Sequence, residues 1–127
     1  MSYKLTITQK PTYLHAIITG RNTKENVMAY LDELRRECMT RGCRRVLIEE
    51  RLTGPRLSTI GVFQIASSGS DQDQRHFKAV AFVDVNAEND DLMKFAETVA
   101  TNRGISVKVF SSVADAEQWL LNHVDAD

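Results

Sequence analysis

The sequence predicts a single α/β domain, spanning residues 1–127, built on a mixed, mostly parallel sheet of five strands. Two observations predict this class. Short apolar runs alternate along the chain with segments whose apolar residues recur at helical spacing. The later strands are separated by about 30 residues, a spacing that requires a right-handed helical crossover and therefore parallel neighbours. The length and the 43% hydrophobic content fit one globular domain.

Composition excludes several classes of protein. The 16 basic and 17 acidic side chains give a net charge of −1, which argues against a dedicated nucleic-acid binder. No apolar run is long enough to span a bilayer, and we find no signal peptide. The chain has two cysteines, Cys38 and Cys43, too few for the disulfide framework of a small secreted domain. We therefore expect reduced thiols, a cytoplasmic location, no membrane span and no nucleic-acid partner.

The first half of the chain predicts three strands and one long helix. Tyr3–Gln9 alternates polar and apolar residues and should form an antiparallel edge strand, followed by a turn at Lys10-Pro11-Thr12 and a second strand. Asn22-Thr23-Lys24-Glu25 reads as a capping box, and Gly42 should end the helix that it opens. The predicted apolar stripe of this helix is Val27, Leu31, Leu34 and Cys38, and the third strand is Val46–Ile48.

The second half predicts two more strands and further helices. Glu49 to Arg56 is interpreted as a polar loop, in which the carboxylates of Glu49 and Glu50 would be solvated. If these two residues instead end the third strand, their side chains would face opposite sides of the sheet. Leu57 to Ser67 carries a broad apolar helical face. The remaining predictions are a strand at Phe77–Val85, a helix at Glu88–Arg103, a strand at Ile105–Phe110 and a last helix opened by the capping box Ser112-Val113-Ala114-Asp115. The total is about four helices, arranged with the sheet in two layers.

No local motif indicates catalysis, a metal or a cofactor. His15, His76 and His123 lie in three different elements, and the spacing from Cys38 to Cys43 fits no common zinc site. A Gly-x-Ser-x-Gly elbow, a paired-cysteine redox motif and a glycine-rich phosphate loop are absent. We predict no catalytic residue, no metal and no cofactor. An enzyme built from scattered residues, with Glu49, Glu50 or His76 in a deep pocket, remains an alternative.

The segment after the third strand is the candidate site. It joins the end of a central strand to the start of a helix, where free backbone N–H groups favour anions. A phosphate on Ser58 or Thr59 could pair there with arginine side chains, whereas the alternative is that Ser58 caps the helix. The predicted phospho-acceptor or interaction loop comprises Arg51, Thr53, Gly54, Arg56, Ser58 and Thr59.

A resemblance to a known family adds to this reading. The strand, loop and helix of residues 45–66 and the closing strand and helix of residues 106–121 resemble the SpoIIAA-like fold of STAS domains, named for sulfate transporters and anti-sigma-factor antagonists. In the antagonists a kinase phosphorylates a serine in a loop reading Asp-Ser-Ser-Gly-Leu. Ser58 or Thr59 would match this acceptor, but Leu57 replaces the acidic residue and Ile60 is inserted. The chain therefore looks more like the uncharacterised bacterial members.

The resemblance implies a non-enzymatic regulatory or protein-interaction domain with an unknown protein partner and frequent self-association. The alternative is a small-molecule binding module that takes an anionic or apolar ligand at the carboxyl ends of the strands. A homodimer could use Trp119 or Leu121, because these residues flank the inward stripe of the last helix and one of them should be exposed.

Overall fold

The computed structural model describes residues 3–54, 77–84, 91–102 and 106–122. Within these residues five strands form one sheet in the order β1-β2-β3-β4-β5. The first pair is antiparallel and the other three pairs are parallel, which confirms the predicted mixed sheet. The elements are β1 Tyr3–Gln9, β2 Leu14–Arg21, α1 Lys24–Arg41, β3 Arg45–Thr53, β4 Ala79–Asp84, α2 Asp91–Asn102, β5 Val107–Phe110 and α3 Val113–Asn122. The helix predicted at Leu57 to Ser67 lies outside the described residues.

Helix α1 begins one residue later than its capping box predicts. The N-cap is Thr23, whose hydroxyl accepts a hydrogen bond of 3.0 Å from the backbone N–H of Asn26. Asn22 lies one residue before the cap, where its own N–H donates to the carbonyl of Thr53 over 2.7 Å and keeps it alongside β3. At the other end Gly42 adopts the left-handed conformation with φ 68°, so the predicted helix stop is confirmed.

Strand β3 extends well beyond the predicted apolar run. It pairs with β2 as far as the register partners Arg21 and Thr53. The interpretation of Glu49 to Thr53 as a solvated loop is therefore wrong, and Glu49 and Glu50 are only 3% and 7% exposed. These carboxylates tolerate burial because each has a hydrogen-bond donor on another element.

Helices cover both faces of the sheet. One core cluster joins the α1 stripe to alternate residues of β2 and β3, including Val46 and Ile48. A second cluster joins Ala116 and Leu120 of α3 to the other face, including Leu47. Because side chains alternate along a strand, α1 and α3 lie on opposite sides of β3. The described elements thus form three layers, not the predicted two, since β3 carries apolar residues on both faces.

The remaining predictions concern helix α3 and the absence of a membrane-spanning helix. Ser112 caps α3 by accepting a hydrogen bond of 3.2 Å from the backbone N–H of Asp115, as the capping box predicts. Leu121 is 49% exposed, while Trp119 packs against Phe110 with ring centroids 5.7 Å apart. Among the residues of the described ranges, no helix has the length and hydropathy needed to cross a membrane.

Candidate functional site

The carboxyl end of β3 carries polar side chains on both faces of the sheet. Glu49 and Arg51 point to the side covered by α3, whereas Glu50 points to the side covered by α1. Open α/β sheets present their binding groups at this edge of the strands. The two faces are therefore considered separately.

On the α3 side the buried carboxylate of Glu49 contacts two side chains, the imidazole of His15 and the guanidinium of Arg51. His15 Nε2 lies 2.9 Å from Oε1 of Glu49, and Arg51 Nε donates to Oε2 over 2.6 Å. A second guanidinium nitrogen of Arg51 also contacts Oε2. The β2–β3 register pairs Ile17 with Glu49, so the contact to His15 runs diagonally between the strands. We call His15, Glu49 and Arg51 the Arg51 cluster.

The Arg51 cluster presents one positive group to solvent. The side chain of Glu49 is 3% exposed and that of His15 is 15% exposed, whereas that of Arg51 is 55% exposed. The buried carboxylate fixes the orientation of the guanidinium from below. Because a guanidinium is planar and has five N–H donors, a held but half-exposed arginine can pair with an incoming carboxylate or phosphate.

On the α1 side a buried phenol donates to a buried carboxylate. Tyr30 is fully buried and its hydroxyl donates to Oε2 of Glu50. Asp84, which is 8% exposed, is the register partner of Glu50 on β4. Burial, followed by the negative charge of Glu50, raises the pKa of Tyr30 well above its ordinary value. The phenol is therefore protonated at neutral pH and donates the hydrogen bond to Glu50.

The structure describes only part of the predicted interaction loop. Arg51, Thr53 and Gly54 lie at the end of β3, while Arg56, Ser58 and Thr59 lie outside the described residues. The hydroxyl of Thr53 donates to the carbonyl of Gly20 over 3.2 Å, and Gly54 has φ 108°, a conformation that favours glycine. These two residues end the strand, and Arg51 supplies the charge.

Sequence reasoning missed three of the four titratable partners at this edge. His15 is only one of three histidines that lie in different elements, and the sequence gives no signal for Tyr30 or Asp84. No local signal identifies them, because each lies on a different element from Glu49 and Glu50. His76 and His123 lie outside the described residues. In the part of the chain that is described, no three His, Cys, Asp or Glu side chains converge to hold a metal ion.

Comparison with known proteins identifies the fold. No protein-family model matches the sequence, and no curated protein matches it. The structure is similar to that of an uncharacterized protein from the DUF3478 family with a SpoIIAA-like fold from Shewanella loihica PV-4. The TM-score is 0.57 at 20% sequence identity, and the match covers 93% of each chain. The predicted fold is thereby confirmed: this chain has the SpoIIAA-like fold.

Proposed function

We propose that this protein is a non-enzymatic regulatory or protein-interaction domain that binds an acidic or phosphorylated segment of a partner protein at the carboxyl end of β3. The observation that carries the proposal is the guanidinium of Arg51, half-exposed and held by the buried carboxylate of Glu49. Arginines held in this way are suited to recognise planar anions by two parallel hydrogen bonds.

The energetic support comes from preorganisation. A flexible side chain loses conformational freedom when it binds, at a cost of roughly 0.5–1.5 kcal/mol. The contact with Glu49 restricts Arg51 before a partner arrives, which reduces that cost. Arginine is also enriched among the few residues that dominate the binding energy of interfaces. A phosphate on Ser58 or Thr59, close to Arg51 in sequence, would compete with the partner for the same guanidinium.

Affinity capture with Arg51 variants tests this proposal. Immobilised protein is exposed to native lysate, and the captured proteins are quantified by mass spectrometry. We expect Arg51→Gln to reduce capture of the partner roughly 30-fold, as for loss of about 2 kcal/mol at an interface hot spot. Arg36→Gln is the matched control, because Arg36 is also an exposed arginine, on α1, and forms an ion pair of 3.1 Å with Asp32.

The controls separate loss of binding from loss of folding. Circular dichroism must show that Arg51→Gln remains folded, since the substitution removes one partner of Glu49. Ser58→Asp, which adds a negative charge near Arg51 in sequence, should weaken capture in the same direction. Equal capture by wild type and Arg51→Gln would contradict the proposal, as would turnover of a metabolite with no partner recovered.

The same guanidinium also supports the second candidate, a module that binds a small anion. Thermal-shift measurements with phosphate, sulfate and a series of small carboxylates distinguish this function from protein binding. A ligand present at 100 times its dissociation constant should stabilise the wild type by about 2.7 kcal/mol. Arg51→Gln should lose this shift while Arg36→Gln keeps it. A flat response across the series would count against a small-anion module and leave the partner-binding proposal intact.

A further inference from the structure

Helix α1 ends in a Schellman motif. The two residues joined by the longer-range hydrogen bond of this motif, Cys38 and Cys43, are the only cysteines in the sequence. The N–H of Gly42 donates to the carbonyl of Met39 over 3.2 Å, and the N–H of Cys43 donates to the carbonyl of Cys38 over 2.8 Å. These are the two hydrogen bonds that define the motif, with Gly42 in the left-handed conformation between them.

This motif brings the two thiol-bearing side chains together. In a Schellman motif the residues joined by the longer-range hydrogen bond commonly contact each other through their side chains. Cys38 is fully buried in the core cluster under α1, and Cys43 is half-buried and packs against the same cluster. The backbone N–H of Cys43 lies 2.8 Å from the carbonyl oxygen of Cys38. With standard backbone bond lengths, this contact keeps the two Cα atoms within about 7 Å, close to the separations that disulfides span.

We propose that Cys38 and Cys43 are a reversible modification site, at which exchange with a low-molecular-weight disulfide converts the two thiols into an intramolecular disulfide. Neither cysteine takes part in a disulfide in the structure. The inference is independent of the proposed function, because it rests on the end of α1 and not on the Arg51 cluster.

The exchange proceeds in two balanced steps. The thiolate of Cys43 attacks one sulfur of the small disulfide, forms a mixed disulfide and releases one thiol after proton uptake. The sulfur of Cys38 then loses its proton, attacks the sulfur of Cys43 and displaces the second small thiol. Overall, two protein thiols are oxidised to one disulfide and the small disulfide is reduced to two thiols.

The order of attack follows from the surroundings of the two thiols. Burial, followed by the proximity of Cys43, raises the pKa of Cys38 to about 12, so this thiol is a poor target for reagents from solution. Cys43 lies at the edge of the core, where its thiol donates to the carbonyl of Arg45 over 3.1 Å. Cys38 therefore reacts only with a sulfur that is already attached to Cys43.

The test treats the folded full-length protein with excess glutathione disulfide, quenches with acid and alkylates the remaining thiols in denaturant. We expect loss of both free thiols and a protein mass lower by two hydrogen atoms. Tryptic cleavage after Arg36, Arg41 and Arg44 separates the two cysteines, so the disulfide should link the peptides Glu37–Arg41 and Gly42–Arg44. Reduction should restore both thiols.

Single variants identify the role of each cysteine. Cys38→Ser should stop at a mixed disulfide with glutathione on Cys43, whereas Cys43→Ser should leave the buried Cys38 unmodified. The proposal is overturned if wild type retains both thiols, if it stops at the mixed disulfide, or if the only product is a dimer linked between two chains.

Discussion

Native protein brought from pH 8 to pH 11 should keep its tyrosines almost entirely protonated, although an ordinary tyrosine with a pKa near 10 is roughly nine-tenths ionised at pH 11. The chain has three tyrosines, and the hydroxyl of each donates to a glutamate carboxylate on another element. Ionising any of them would place two negative oxygens in contact. The three pairs are Tyr3 with Glu33, Tyr13 with Glu117, and Tyr30 with Glu50.

The pKa shifts set the pH range of this effect. The hydrogen bond to Glu33, followed by burial, raises the pKa of Tyr3 to about 12. Burial, followed by the hydrogen bond to Glu117, raises the pKa of Tyr13 to about 12. Native protein therefore retains protons between pH 10 and 12 that unfolded protein releases. The stabilisation is complete below pH 10 and is lost as the pH rises through 12.

Absorbance of tyrosinate, followed together with circular dichroism, measures this effect. Ionisation in the native protein should begin about two pH units later than in the same protein unfolded in guanidinium chloride, and it should coincide with loss of the circular dichroism signal. A native titration with a midpoint near pH 10 and undiminished circular dichroism would show that the phenol–carboxylate contacts do not form.

Tyr30→Phe should be the most destabilising of the three tyrosine-to-phenylalanine changes, at about 2–3 kcal/mol in the free energy of unfolding. The substitution removes a donor from the buried carboxylate of Glu50, and buried groups that lose a partner cost about 1–3 kcal/mol, more when charged. Asp84, the register partner of Glu50, adds a second carboxyl group to the same surroundings. Tyr3→Phe is the matched control, because the hydrogen bond from Tyr3 to Glu33 is only partly buried.

Denaturant unfolding of a double variant separates the lost hydrogen bond from lost packing. Replacing both partners of a buried hydrogen bond with apolar groups is often nearly neutral. Tyr30→Phe combined with Glu50→Leu should therefore recover part of the stability that Tyr30→Phe loses. If Tyr30→Phe lowers the free energy of unfolding by no more than Tyr3→Phe does, the Tyr30 side chain contributes only packing. The hydrogen bond from Tyr30 to Glu50 would then not stabilise the fold.

The elements with local sequence signals were predictable. The alternation in Tyr3–Gln9 identified the edge strand, Gly42 identified the end of α1, and Ser112 identified the start of α3. Each of these signals depends on residues within one turn or one strand, so no knowledge of tertiary contacts is needed. The one-residue error at the start of α1 falls where Asn22 makes a tertiary contact, its hydrogen bond to the end of β3.

The end of β3 was not predictable in the same way. Glu49, Glu50 and Arg51 have the composition of a loop, and their partners His15 and Tyr30 are 34 and 20 residues away from the carboxylates that they contact. Only the register of β2 against β3 and the packing of α1 bring these groups together. Arg51 belongs to the candidate loop because that segment joins a strand to a predicted helix, and no sequence signal indicates the carboxylate that holds it.

The two consecutive glutamates of β3 make the strand sensitive to insertions and deletions. Adding or removing a single residue between Arg45 and Glu49 would exchange the faces of both carboxylates, because side chains alternate along a strand. The carboxylate that contacts the imidazole would then face α1, and the carboxylate that accepts from the phenol would face α3, so both would lose their partners. Length variation among homologous chains should consequently be confined to segments outside this strand.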